Sequence, residues 1–368
     1  VGVQSFGDDA PSPRPSPQGE REDFSQPLGD TAQALIALTA SAGQQTTMTT
    51  NQLLMAIAAG VIAAVVFASA TTGAVLLRFV LFFLTPLSLY LAGLGLGPVA
   101  AGIAAIVATL TILALTNPVA AIVFAISAGL PAVVTTRLAL LGRQDDSGAT
   151  VEWYPIGRIV FAAALFGGLF AGLALSLMGG DMDAMAKTMR SLVENFVKNE
   201  MPQVPGAEAL TAPQIDEIAT RALGLLPWSL AALSVITTLL NLWLAGRITL
   251  ASGRLTRPWP DLSQITLPAS ATFALLFAIA AAFMSGMPGL IAGGFAGAFT
   301  FAFALLGLAL AHALTRGSPW RNFILSLLYA TFIFYTPVAL LLLALAGLAE
   351  TIFHYRARGP SGPSANDT

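Results

Sequence analysis

Long apolar runs dominate this sequence and restrict its fold more than any other feature. A helix needs about 20 apolar residues to cross the roughly 30 Å hydrocarbon core of a bilayer. Every backbone amide in lipid needs an internal partner, and no run alternates as a barrel strand does. The sequence therefore predicts an all-α integral membrane protein, a polytopic bundle of eight or nine transmembrane helices. The runs lie at about 52–72, 79–96, 98–116, 118–140, 157–178, 226–246, 269–287, 289–313 and 322–349.

The composition agrees with this fold class and excludes several functions. Only 10% of the 368 residues are charged, whereas soluble domains carry roughly 25%. The net charge of −2 provides no basic field for a nucleic-acid partner. Cysteine is absent, and His312 and His354 are the only imidazoles, so disulfides, thiolates and Cys-type metal sites are excluded. We expect no catalytic residues, no metal, no cofactor and no enzymatic activity.

The polar ends of the chain differ from its middle. Residues 1–47 are rich in Pro, Ser, Gly and charge, and we predict that this extension is disordered. One hypothesis is that translation starts at Met48 and that the extension is not native, which N-terminal sequencing would test. The tail is predicted to be disordered as well. The predicted regions are the extension 1–47, the bundle 48–357 (first half 48–141, extracytoplasmic amphipathic insert 180–224, C-terminal helices 225–357) and the tail 358–368.

The distribution of Lys and Arg between the loops predicts an orientation. With nine spans, most of the loop arginines fall on the side of the N-terminus and of the 141–156 loop, so that side is predicted to be cytoplasmic. The basic tail HYRARG would then lie outside. If the 269–313 region crosses once or re-enters, there are eight spans and the tail returns to the cytoplasm. The predicted location is the bacterial inner (cytoplasmic) membrane, with multiple passes.

The insert between the fifth and sixth runs has amphipathic patterns. Met182, Met185 and Met189 recur at helical spacing and predict one apolar stripe. Thr211 and Gln214 form a capping-box pattern before a second, shorter stripe. Two amphipathic helices on the outer face are therefore predicted. They form either a cap on the bundle or a lid over a ligand cavity.

Few polar residues within the runs could contact a ligand. Arg78 is the only charged residue between Asp30 and Arg137, and it either snorkels to the interface or faces an anionic ligand. Tyr90 and Asn117 are further polar groups in the same region. The candidate ligand-binding residues are Arg78, Pro86, Tyr90 and Asn117.

Three prolines lie inside apolar runs, at Pro86, Pro131 and Pro337. Proline removes a backbone donor and is expected to bend these helices. Broken helices line the substrate sites of some transporters.

A row of small residues lies in the first run, at Ala56, Gly60 and Ala64. Small residues four apart let two helices approach closely. The row predicts either internal packing or contact with a helix of another membrane protein.

Four stretches carry a resemblance to a known family. They are RFVLFFLTPLSLYLAGLGLGPVAAG, with Thr85, Pro86 and Leu87 at its centre, NPVAAIVFAISAGLPAVV, RPWPDLSQITLP and LAGLAETIFHYRAR. Over roughly 50–357 the chain resembles the YybS-like bacterial membrane proteins of unknown function (domain of unknown function 2232).

The first half is also similar to the substrate-binding components of energy-coupling-factor vitamin transporters. The resemblance implies that Ala56, Gly60 and Ala64 would contact a coupling subunit. Those components have six helices and lack the C-terminal part found here, which argues against vitamin uptake.

Two functional hypotheses follow. The first is a small-molecule binding or transport-like module without its own ATPase, which would receive energy from a separate ATPase. The alternative is a scaffold or assembly protein of the cell envelope that binds other membrane proteins. In either case the expected surroundings are a lipid bilayer, and no nucleic acid is expected as a partner.

Overall fold

A computed structural model of the protein describes residues 48–70, 74–144, 151–179, 181–199 and 210–358. The predicted disorder of 1–47 concerns residues outside this range, as does that of the tail after Arg358. The helices described below lie in one compact unit that begins at Thr50.

The described chain is almost entirely helical. The α-helices are α1 (Thr50–Ser69), α2 (Val75–Leu84), α3 (Leu87–Leu96), α4 (Pro98–Leu115), α5 (Pro118–Phe124), α6 (Leu130–Leu140), α7 (Ile156–Met178), α8 (Met182–Asn199), α9 (Ala212–Ala251), α10 (Ala269–Ala282), α11 (Met287–Leu314), α12 (Arg321–Phe334), α13 (Thr336–Phe353) and α14 (Tyr355–Arg358). A π-helical turn (Ala125–Gly129) joins α5 to α6, and a 3-10 turn spans Leu262–Gln264. Strands β1 (Gly142–Gln144) and β2 (Val151–Trp153) form one antiparallel pair.

Eight segments of the described chain are long and apolar enough to cross a membrane. They are α1, α2 with α3, α4, α5 with α6, α7, α9, α11 and α13. Helices α10 and α12 are apolar but have only 14 residues each. The prediction of an all-α polytopic membrane protein is confirmed.

The three prolines inside apolar runs each mark a break between helices. Pro86 separates α2 from α3, and Pro131 follows the π-helical turn at the start of α6. Pro337 lies in the first turn of α13, directly after the break at Tyr335. Proline has no N–H to donate to the preceding turn but fits the first turn of a new helix. The helix ends completely only at Tyr335, before Pro337, whereas at Pro86 and Pro131 the backbone keeps helical dihedrals and α2 with α3 and α5 with α6 each form one span.

The last apolar run does not form one span. The prediction of a single span over 322–349 is wrong, because Tyr335 leaves helical geometry and divides the run into α12 and α13. Arg321, at the start of α12, donates to the His312 carbonyl at 2.9 Å, near the end of α11. Arg356, just after α13, donates to the Ile265 carbonyl at 2.7 Å. Since Arg316 joins the end of α11 to the same loop, α12 and α13 form a hairpin whose two ends lie at one end of the bundle.

We call this end of the bundle the loop end. It comprises the β-hairpin residues 141–144 and 151–155, the connection 252–268, the turn 315–320 and the tail segment 354–358. Arg257 joins the first two, because its guanidinium lies 5.9 Å from the centre of the Trp153 ring. The basic tail therefore lies at the same end as the 141–156 loop. The eight-span alternative predicted this position from a change in 269–313, but here it results from the hairpin of α12 and α13.

The insert packs on the opposite end of the bundle. Helix α8 is one of the two predicted amphipathic helices, and its Met185 and Met189 are buried against Leu175 and Leu223. The second predicted helix is not separate, because residues from Ala212 onward form the first turns of the 40-residue helix α9. In the described residues, α8 is a cap on the ends of α7 and α9.

Close helix contacts in the second half depend on glycine. A Cβ at Gly307 of α11 would lie 1.9 Å from the Leu343 carbonyl oxygen, and a Cβ at Gly347 of α13 would lie 2.0 Å from the Phe303 carbonyl oxygen. Small residues allow such close approach between membrane helices. The two glycines therefore fix α13 directly against α11.

Candidate functional site

A cavity of about 850 Å³ lies inside the bundle near the loop end. Its wall is formed by the starting turns of α7, the final turns of α9 and α11, and the connection between α9 and α10. Ligand pockets of proteins have volumes of about 300–1,000 Å³. The cavity therefore has the size of a small-molecule site.

The connection 252–268, which we call the capping loop, begins with a helix-ending glycine. Gly253 has φ +68°, and the next two amides, those of Arg254 and Leu255, donate back to the Thr249 carbonyl at 2.9 and 3.2 Å. Glycine adopts this left-handed conformation without the steric cost that a side chain brings. The turn ends α9 and directs the chain back across the bundle.

The middle of the capping loop is held by Trp259. Pro258 and Pro260 on either side of it disfavour helix. The guanidinium of Arg247 lies 5.1 Å from the centre of the Trp259 ring, a cation–π contact. A Cβ at Gly246 would lie only 3.2 Å from the ring. The indole thus closes the cavity beside the last turns of α9.

Asp261 organises the part of the capping loop that follows. Its carboxylate accepts from the Ser263 N–H at 2.9 Å and from the Ser263 hydroxyl at 2.7 Å. These bonds, with smaller contributions that include the charge of Arg316, hold the pKa of Asp261 below its usual value. Arg316 donates to the Ser263 hydroxyl at 2.9 Å. The cavity wall therefore contains one fixed carboxylate with a partner of its own.

Arg257 is a cation held by neutral groups. It donates to the Ala139 carbonyl at 3.2 Å, and its guanidinium lies 5.9 Å from the centre of the Trp153 ring. Burial lowers the pKa of Arg257, but a guanidinium stays protonated in proteins. Its charge thus lies in the cavity wall, half-buried.

Arg321 is a second cation of the wall. It donates to the His312 carbonyl at 2.9 Å and to the Thr315 hydroxyl at 3.3 Å. His312 also lines the cavity, and its Nε2 lies 2.9 Å from the Tyr329 hydroxyl. Within the described chain, no carboxylate lies within ion-pair distance of Arg257 or Arg321.

A buried ion pair at the end of α13 holds the second half of the capping loop in place. His354 adopts the left-handed conformation, with φ 53°, and ends α13. The chain then turns back, so that Arg356 reaches the Glu350 carboxylate at 2.7 Å. The same guanidinium donates to the Ser263 and Ile265 carbonyls at 2.5 and 2.7 Å. The end of the bundle is thereby tied to the cavity wall.

The interior of the cavity is apolar and deep. Leu239 lies 12 residues before the end of α9 at Ala251, and Ala302 lies 12 residues before the end of α11 at Leu314. At 1.5 Å per residue this corresponds to about 18 Å of helix. The apolar wall therefore follows α9 and α11 for about 18 Å from their ends at the loop end.

The cavity combines two kinds of surface. The polar groups are clustered at the loop end, and apolar side chains line the rest. In the described part of the chain, no group of three or more His, Asp or Glu side chains lies close enough together to hold a metal ion.

The four residues predicted to bind a ligand are not brought together at this cavity. Pro86 borders a separate cavity of about 20 Å³, which has room for about one water. Tyr90 is fully buried, and the Thr135 hydroxyl donates to its oxygen at 3.5 Å. Asn117 caps α5 by accepting from the Ala120 N–H at 2.9 Å. Arg78 is half-buried on α2, and ligand binding at these positions stays a prediction.

The small-residue row of α1 faces α4 of the same chain. Ala56, Gly60 and Ala64 are all buried, and a Cβ at Gly60 would lie 2.5 Å from the Ala104 carbonyl oxygen. Internal packing, one of the two alternatives, accounts for this row. Contact of the row with a separate protein stays a prediction.

The sequence does not predict that the residues lining this cavity form a site. In the sequence, Arg257, Arg316 and Arg321 belong to the loop arginines that predict orientation, and His312 is one of the two imidazoles. One signal was available in the sequence, because Trp259 lies between two prolines and this motif directly follows Arg257. Such a motif is unusual for a plain connection between spans, since it restricts the backbone and adds an aromatic ring.

Comparison with known proteins agrees with this architecture. Residues 61–351 match the model of the family described as "Predicted membrane protein (DUF2232)". The match covers well over half of the chain, and the protein belongs to that family. Neither the curated proteins nor the solved structures contain a match.

Proposed function

We propose that the protein is a membrane-embedded, non-enzymatic module that binds a small molecule in the cavity at the loop end. The observation that carries the proposal is the cavity itself, which has a volume of about 850 Å³ and an apolar interior. Its polar rim consists of Arg257, Asp261, Arg316 and Arg321. A bundle that served only as a scaffold has no need of such a space, because a cavity left empty destabilises a fold.

The proposed setting is the inner membrane of a bacterial cell, with the loop end in the cytoplasm. Arginine is concentrated in the short loops of that end, as the positive-inside rule requires. The other end carries its Lys and Arg mainly in the insert, and charges in long loops count for less.

The proposed role is transport-like, with energy supplied by a separate ATPase as a partner. One consideration supports this role. The sequence contains no phosphate-binding loop, so energy for transport would have to come from another protein. The resemblance of the first half to the binding components of energy-coupling-factor transporters stays a prediction. Other membrane proteins are the alternative partners if the protein is an envelope scaffold.

The test compares ligand retention in two tryptophan variants. Ala309→Trp fills the cavity from α11, whereas Ala280→Trp adds the same side chain to an exposed position on α10. Each full-length protein is extracted in a mild neutral detergent, and native mass spectrometry measures the bound mass. We expect the wild type and Ala280→Trp to retain the same small molecule and Ala309→Trp to lose it.

The opposite result is equally clear. If no small molecule accompanies any of the three proteins, or if Ala309→Trp retains it as well as the wild type, the cavity is not a binding site. A normal elution profile and helical content for Ala309→Trp provide the control for folding.

A further inference from the structure

We propose that the ligand of the cavity is an anionic lipid-like amphiphile, with a phosphate headgroup at Arg257 and Arg321 and its hydrocarbon chain in the apolar interior. This inference rests on the proposed function and names its ligand class. It follows from the charges of the rim, the apolar depth of the cavity and the position of the rim relative to the membrane.

The charges of the rim are unbalanced. Three guanidiniums line the cavity, those of Arg257, Arg316 and Arg321, against the single carboxylate of Asp261. Arg316 lies 3.9 Å from that carboxylate. The other two arginines contact carbonyls, a hydroxyl and rings instead. A charge in an apolar surrounding is costly unless it is paired, so the rim favours an anionic ligand.

The type of cation favours an oxyanion. Arginine presents donors in a planar fork that matches the oxygens of a phosphate or carboxylate. Arg257 and Arg321 use only part of this donor capacity in their observed contacts. Free donors of each guanidinium therefore remain for a headgroup. A phosphate is the oxyanion that membrane lipids commonly carry.

The interior favours a hydrocarbon chain. Below the rim, the wall is formed by side chains such as Leu239, Leu242, Val160 and Leu306. A nucleotide or a sugar would place its hydroxyls against these groups without hydrogen-bond partners, at a cost in binding. A neutral hydrocarbon would leave the arginines unpaired. An amphiphile satisfies both parts of the cavity.

The rim lies at the level where such a molecule has its headgroup. Trp243 and Trp259 both border the cavity, near the end of α9 and in the capping loop. Tryptophan prefers the interface between membrane and water. A lipid at this level would keep its phosphate at the depth that it has in the bilayer.

The test is a titration of the full-length protein in neutral detergent, followed by quenching of tryptophan fluorescence. The probe is phosphatidic acid with brominated acyl chains, because bromine quenches tryptophans that it contacts. Diacylglycerol with the same brominated chains tests the headgroup. Inorganic phosphate, added as a competitor, distinguishes a lipid phosphate from a free one.

Two charge variants test the rim. The first is the double variant Arg257→Gln with Arg321→Gln, which keeps hydrogen-bond donors but removes both charges. The matched control is Arg254→Gln, which removes a charge from an exposed position of the same loop that does not border the cavity. Arg257→Lys, which keeps the charge, replaces the first variant if that variant elutes as an aggregate.

We expect phosphatidic acid to quench at a half-saturating concentration at least about tenfold lower than that for diacylglycerol. One hydrogen bond to a charged group contributes roughly this factor. The double variant should lose the same factor and Arg254→Gln should not. Where Arg257→Lys replaces the double variant, it should lose a smaller factor, because it keeps the charge but not the planar fork.

Three outcomes overturn the inference. If diacylglycerol quenches as well as phosphatidic acid and the rim variants bind normally, the ligand is a neutral amphiphile and the proposed function still holds. If inorganic phosphate displaces the lipid at the lipid's own half-saturating concentration, the site takes a free anion. If neither lipid quenches and the wild type carries no bound mass, the proposed function fails as well.

Discussion

The buried pair of Glu350 and Arg356 allows a sharp test of how the capping loop is held. The two side chains are 6% and 16% exposed, and the Arg356 Nε lies 2.7 Å from the carboxylate. Replacing Arg356 with alanine leaves an ionised group enclosed without its partner. Removing one member of a buried pair typically costs about 3–5 kcal/mol. We expect Arg356→Ala to lower the free energy of unfolding by about that amount.

The two partners should not be equivalent. In Glu350→Ala, the guanidinium still donates to the Ser263 and Ile265 carbonyls and keeps some contact with water. The free energy of unfolding of Glu350→Ala should therefore fall by a smaller amount, about 1–3 kcal/mol, which is the usual cost of an incompletely satisfied group. The double variant contains no enclosed charge. We expect it to be more stable than Arg356→Ala alone, although it lacks one more side chain.

The measurement is reversible unfolding in mixed micelles with increasing sodium dodecyl sulfate, monitored by circular dichroism for all four members of the cycle. Hydrogen exchange at residues 261–266 provides a local readout, and it should be fastest in Arg356→Ala. If the two single costs simply add in the double variant, the side chains are not coupled. That result, or a larger cost for Glu350→Ala than for Arg356→Ala, would refute the reasoning.

Three further predictions concern packing and surface charge, each measured by the same unfolding assay. Gly307→Ala should destabilise strongly, because its Cβ would meet a carbonyl of α13, whereas Gly102→Ala, in open space, should be neutral or slightly stabilising. Asn241→Leu should cost about 1–3 kcal/mol, because its amide donates to a carbonyl of α2 at 2.6 Å; a neutral result would contradict this role. Arg190→Ala should cost under about 1 kcal/mol, since its ion pair with Asp216 is largely exposed, and a larger loss would show that the insert depends on this pair.

Much of the fold follows from the sequence because lipid leaves few alternatives. The eight long helices correspond to apolar runs, and Pro86, Pro131 and Pro337 lie where the regular α-helix is interrupted, whereas Pro227 lies inside α9. The run 322–349 was assigned wrongly for a physical reason. A hairpin with both ends at one face is as apolar as a single span, and hydropathy alone cannot separate the two. Pro337 indicates an interruption of the helix nearby, but the sequence does not show that the backbone leaves helical geometry at Tyr335 and that the chain turns back there.

The candidate site was far less predictable. Sequence reasoning selected polar residues inside apolar runs, such as Tyr90, which the fold places in a buried contact with Thr135. The cavity instead depends on Arg257 in the capping loop and Arg321 at the start of α12, which line one cavity because α10 and α11 form a hairpin between them. A charge in a loop is normally solvated, so apart from the Pro-Trp-Pro motif that follows Arg257 nothing local distinguishes these arginines from Arg254.

Helix α9 joins the two ends of the protein. Its 40 residues measure about 60 Å at 1.5 Å per residue, twice the thickness of the hydrocarbon layer. Its first turns hold the insert through Leu223, and its last turns border the cavity through Gly246. It is therefore one continuous helix that runs from the insert to the loop end, with no loop between them. A displacement of the insert would therefore be transmitted along α9 toward the cavity wall, and Pro227 is a position within the helix where a backbone hydrogen bond is missing.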